Sequence, residues 1–135
     1  MEIAMSSSKY RAVWLLAVVA LTSAFWLSAI TKTLDFSGAQ AEVRGLTGLE
    51  PASLFAAAVI VTQLLGSVLL TLGGRRTIAG AAILSAFTLV ATVLAHAWWM
   101  KDGPERARDF SVFFEHLGLI GGFVLAALSA PRRSE

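Results

Sequence analysis

Four long stretches of this chain carry almost no charge, and each is the length of a membrane span. Ala12 to Thr31 is bounded by Arg11 and Lys32, Pro51 to Gly74 by Glu50 and Arg75, and Thr77 to Met100 by Arg76 and Lys101. The last, Phe110 to Pro131, is broken only by Glu115 and His116. About twenty apolar residues suffice to cross the hydrocarbon core of a bilayer, and inside lipid the backbone must satisfy itself as helix. With 135 residues, 56% hydrophobic and 15% charged, the chain is too short to bury four such helices on every side in water. The sequence therefore predicts an all-α membrane protein, a single-domain antiparallel four-transmembrane-helix bundle. Its spans are expected at about 12–31, 52–74, 77–100 and 110–130, with an outer loop over 32–51. The first stretch is expected to be a retained span: it is long for a signal-peptide core and no clear cleavage site follows it.

Charge orients the bundle. One side gathers Lys9, Arg11, Arg75, Arg76, Arg132 and Arg133 against Glu2 and Glu135. The other holds five bases in the 32–50 and 101–109 loops, interleaved with six acids. Arginines packed against span ends favour the first side as cytoplasmic, with both termini inside. The net charge of +2 then reflects membrane anchoring and contact with lipid headgroups; nucleic acid is not implied. Trp14, Trp26, Trp98 and Trp99 are expected as interfacial anchors. The outer loop spaces Phe36, Val43, Leu46 and Leu49 near helical period, which leaves open a short helix on the bundle mouth or a plain surface loop. The short GGRRT turn at Gly73–Thr77 makes spans two and three antiparallel neighbours.

Helical periodicity sorts the polar residues. Ala81, Ser85, Thr88, Thr92 and His96 share one face of span three; Gln63, Ser67 and Thr71 share one face of span two. In span four Glu115, Gly118, Gly122 and Ser129 form a small and polar face expected to turn inward. His116 begins a different face with Ile120, Phe123 and Ala127, expected to look toward headgroups or another protein. Lys32, Gln63, His96 and Glu115 are thus the candidate ligand-binding residues: Lys32, His96 and Glu115 converge on the outer third of the bundle, and Gln63 lies nearer the middle of span two. Each has a plainer reading. Glu115 fits a first-turn carboxylate, Lys32 a snorkelling anchor, and His96 a ring bonded to a neighbouring backbone.

A shallow, half-apolar pocket with these groups suits a quinone, whose carbonyls accept hydrogen bonds while its tail lies among apolar helices. A lipid headgroup or a protein partner would engage the same side chains. No catalytic group and no metal ligand set is nominated. The chain has no cysteine, so it has no thiolate for an iron–sulfur cluster or a disulfide relay. A haem shared by His96 and His116 would need the two rings to face each other, and His116 is expected to turn away.

The segments AFWLSAITKTLDF, LLGSVLLTLGGRRTIAG, ATVLAHAWW and FSVFFEHLGLIGGFVLAAL together resemble the DoxX-like family of small bacterial membrane proteins. The resemblance runs over roughly residues 10 to 130. It implies a bacterial inner-membrane protein in which Lys32 and His96 sit near a quinone-binding or partner-binding mouth. Relatives include the membrane subunit of an archaeal thiosulfate:quinone oxidoreductase. Two functions follow. One is a non-catalytic accessory or scaffolding subunit of a respiratory or photosynthetic membrane complex, packed on a membrane-protein partner or on itself. The alternative is a quinone-binding membrane subunit of an oxidoreductase, working with a separate electron-donating protein.

Overall fold

The computed structural model describes residues 6–131, so Glu2, Arg132, Arg133 and Glu135 lie outside the described residues. Five α-helices follow one another: α1 (Ser7–Leu34), α2 (Phe36–Thr47), α3 (Ala52–Thr71), α4 (Gly74–Ala95) and α5 (Gly103–Leu128), with a 3-10 turn at Trp98–Met100 before α5. There is no strand among the described residues. Helices α1, α3, α4 and α5 are long and apolar enough to cross a membrane. The 20 residues of α3 span about 30 Å at the helical rise, the thickness of a hydrocarbon core. The outward side chains are those lipid requires: Leu16, Leu27, Leu54, Val61, Leu125 and Leu128 are all exposed. The molecule is a multi-pass membrane protein built as a four-helix bundle.

Local chemistry sets the breaks. Asp35 ends α1 and begins α2, its carboxylate accepting from the Gly38 N–H at 2.9 Å and the Ser37 hydroxyl at 3.0 Å. Residues 36–47 of the predicted outer loop are a helix, which ends at Gly48 in the left-handed conformation. Gly73 (φ 79°) and Gly74 (φ 60°) turn the chain back between α3 and α4 in a region that other residues rarely adopt. The fourth span starts earlier than the charge pattern predicts. Pro104 sits in the first turn of α5, so residues 103–109 are helix and not loop.

The helices pair in the order α1, α3, α4, α5, and the tightest seam joins α3 to α4. A Cβ on Gly80 would fall 2.7 Å from the Gly66 carbonyl oxygen and 2.9 Å from the Leu69 carbonyl carbon, so only glycine allows this approach. Thr77 donates to the Leu70 carbonyl across the same seam at 3.2 Å. Helices α1 and α5 meet at the end of the bundle that carries the termini. There Tyr10 donates to the Ser129 carbonyl at 2.6 Å and Trp14 Nε1 to the Ala126 carbonyl at 3.2 Å. Trp14 is a buried core residue and not the expected interfacial anchor. Above it Phe25 meets Phe123 edge-on, with ring centroids 5.5 Å apart.

Within lipid the apolar surroundings supply little drive for helix association, so close packing carries it. Replacing Gly80 by Ala must therefore push α3 and α4 apart, and the bundle should lose about 1–3 kcal/mol, the usual cost of overpacking. Gly121 faces open space, and Gly121→Ala should stay within about 0.5 kcal/mol. Thermal unfolding in mild detergent reads both; equal melting of the two variants would show that the α3–α4 seam is not tight.

Candidate functional site

The tight α3–α4 seam and the α1–α5 contact leave space at the opposite end, beneath α2. A cavity of about 500 Å³ occupies it, with walls from all five helices. Its body is apolar: Phe25, Val59, Phe87, Leu94 and Leu119 are among the lining residues. Ala39, Val43 and Leu46 of α2 form a roof. Leu46, Val90 and Leu94 line the cavity while remaining exposed outside, so its wall is continuous with the apolar surface of the bundle.

Two ion pairs tie the roof down. Lys32 at the end of α1 pairs with Glu42 at 2.5 Å, and both line the cavity. Arg44 pairs with Glu50 at 2.6 Å. The Arg44 guanidinium and the Ala52 N–H hold the Glu50 carboxyl below the usual carboxylate range, and the Gly38 N–H and Ser37 hydroxyl do the same for Asp35. These exposed pairs position α2 more than they stabilise the fold.

Polar groups enter the apolar wall at a few points. Gln63 of α3 donates through Nε2 to Ser28 Oγ of α1 at 3.0 Å, while its Oε1 is buried without a partner among the described residues. Thr88 Oγ1 of α4 is likewise buried and unpartnered. His96 ends α4, and His116 of α5 lies beside it with ring centroids 5.3 Å apart, edge to face. Thr92 Oγ1 lies 2.8 Å from His116 Nδ1. Behind His96 stands Asp109, whose side chain is 0% exposed. Its Oδ1 lies 3.2 Å from His96 Nδ1 and accepts from Arg108 Nε at 3.3 Å; its Oδ2 accepts from Lys101 Nζ. A carboxylate buried among three donors is a paired charge, and it ties the end of α4, the segment after the 3-10 turn and the first turns of α5 into one unit.

Three of the four residues singled out in the sequence, Lys32, Gln63 and His96, line this cavity. The fourth does not. Glu115 is exposed on the outer face of α5 with Gly118 and Ser129, and the face of His116 and Phe123 turns inward instead. The inward expectation for Glu115 thus fails, for a physical reason. Asp109, His116 and Phe123 recur every seven residues, and pairing Asp109 while burying Phe123 outweighs any preference for small residues at the seam. Asp109, His116 and Glu42 are the site residues the sequence reading missed. The heptad from Asp109 to Phe123 was the available signal, hidden because Asp109 was assigned to a loop. His116 does face His96, but the edge-to-face contact leaves no slot between the rings for a flat macrocycle. No group of three His, Cys, Asp or Glu is placed to hold a metal ion among the described residues.

The sequence profile of the DoxX family matches residues 13–97. The chain belongs to the DoxX family. The matched segment carries Lys32, Gln63 and His96 and ends before α5, which supplies Asp109 and His116. Neither a curated protein nor a solved structure matches the chain.

Removing the buried carboxylate should be costly. Asp109→Asn leaves Lys101 and Arg108 without their counter-charge. The loss should be about 3 kcal/mol, the low end for a broken buried pair because both cations reach solvent. Glu115→Gln removes an exposed charge from a span and should leave the fold as stable or more stable. The comparison is again melting in detergent, and a Glu115 effect as large as that of Asp109 would contradict the inward turn of His116.

Proposed function

We propose that this DoxX-family protein is a membrane-embedded binding subunit that holds a small amphipathic molecule of the quinone class in the cavity beneath α2. The observation that carries the reading is the cavity itself. Its volume lies within the range of small-molecule sites, its body is apolar, and Lys32, Gln63, His96 and His116 are among the polar residues of its wall. A ring with oxygen substituents and an apolar tail matches that distribution, the tail leaving past exposed Val90 or Leu94 into lipid. In this reading the chain binds and positions the molecule, and a separate protein supplies electrons. The setting is the inner membrane of a bacterium, with Lys9, Arg11, Arg75 and Arg76 on the cytoplasmic side.

A second feature supports an accessory role as well. Glu115 is a charged side chain exposed on a span, beside Gly118 and Gly121, which face open space. A carboxylate facing lipid is costly, and contact with another membrane protein along this face of α5 would relieve it.

The test is ligand-dependent stabilisation. A short-chain quinone at about 100 times its dissociation constant should stabilise the purified protein by about 2.7 kcal/mol. Ala91 lines the cavity, and Ala91→Trp should abolish the shift by filling it. No shift in the unaltered protein, or an equal shift in the filled variant, would refute the cavity as the binding site.

A further inference from the structure

The hydrogen bonds around the two histidines fix which of their nitrogens can face a ligand. Thr92 Oγ1 lies 2.5 Å from the Thr88 carbonyl oxygen, and a carbonyl can only accept. The single Thr92 hydroxyl proton is therefore directed to Thr88. In its other contact, 2.8 Å from His116 Nδ1, the Thr92 oxygen must accept, so His116 carries its proton on Nδ1. His96 is fixed in the same sense. Its Nδ1 faces Asp109 Oδ1, and that carboxylate, already receiving Lys101 and Arg108, also accepts only. In each neutral ring the remaining nitrogen, Nε2, is then a lone-pair acceptor. No partner within the described residues takes either Nε2, and both rings line the cavity.

Gln63 adds nothing to this set. Its Nε2 is bonded to Ser28, and its Oε1 is buried without a partner and closed to the cavity, so the two ring nitrogens remain the acceptors of the set. The cationic donor in the wall, Lys32, is held by Glu42 at the roof. The two ring Nε2 atoms are thus acceptors, and a buried acceptor left without a donor destabilises the complex it fails to complete.

We propose that the cavity is built for a ligand that donates hydrogen bonds: the hydroxyl-bearing, reduced form of the quinone class, a para-hydroquinone with an apolar tail, in preference to the oxidised quinone. The proposal rests on the reading of the cavity as a quinone-class site and specifies which form it holds. Carbonyl oxygens of a quinone would meet the lone pairs of His96 and His116, whereas the hydroxyls of a hydroquinone satisfy them. Thr92 and Asp109 act as positioning residues, setting the two ring tautomers without touching the ligand.

The experiment compares three probes of nearly equal shape under anaerobic conditions at about pH 8, well above the ordinary histidine pKa of about 6.5. They are a short-chain para-hydroquinone, its quinone, and its dimethyl ether, which keeps the ring oxygens but has no donor. Binding to the full-length protein in detergent should favour the hydroquinone over both others by about tenfold or more, as one satisfied buried hydrogen bond implies. Thr92→Val, which frees the His116 tautomer, should shrink that preference, and Thr92→Ser should restore it. Equal binding of hydroquinone and quinone overturns the proposal while leaving the quinone-class site standing. Binding of none of the three overturns both. An undiminished preference in a folded Thr92→Val protein would overturn the role given to the His116 tautomer.

Discussion

The buried Asp109 carboxylate organises the cavity end of this molecule. A charge removed from water must be paired, and the only way to surround this one is to draw Lys101, Arg108 and His96 onto it. That requirement decides where α4 stops and how α5 is rotated as it enters the bundle. Seven residues on, His116 is brought beside His96 and against Thr92; seven more, Phe123 packs on Phe25. Glu115, one position from His116, is then carried to the outer surface.

The two ends of the bundle do different work. At the end with the termini, α1 and α5 are bonded through Tyr10 and Trp14, and the Gly73–Gly74 turn joins α3 to α4 with no room to spare at Gly80. At the other end the same helices enclose a cavity, and α2 closes it with side chains held by exposed ion pairs. Rigidity at one end is what allows a space of defined shape at the other. Gln63 and Thr88, each with a buried side-chain oxygen left unpartnered, line that space, while Ser67, with another, does not.

The spans were legible because a membrane imposes length and apolarity on every helix that crosses it. The α3–α4 hairpin was legible for a related reason, since a turn this short allows only antiparallel neighbours. Within the site, Gln63 and His96 were found because span two and span three carry their polar residues on one regular face. Span four misled because its small residues and its one large aromatic anchor lie on different faces. Small residues mark a seam only where a neighbour approaches, and Gly118 and Gly121 have none within the chain. Asp109 was missed because a carboxylate next to an arginine in a charged segment reads as a solvated loop until the fold shows it buried. Trp14 likewise reads as an interfacial anchor by position, yet its indole donates to Ala126 inside the core.

The central claim is that the cavity beneath α2 holds a small molecule with an apolar body and an oxygen-bearing ring. Native mass spectrometry of the protein, extracted gently from the membrane in which it is made, tests this most directly. The account predicts one retained small molecule whose mass matches a quinone or hydroquinone of that membrane, and its absence from the cavity-filled Ala91→Trp protein. A bare chain, or phospholipid adducts that are the same in both proteins, would contradict it.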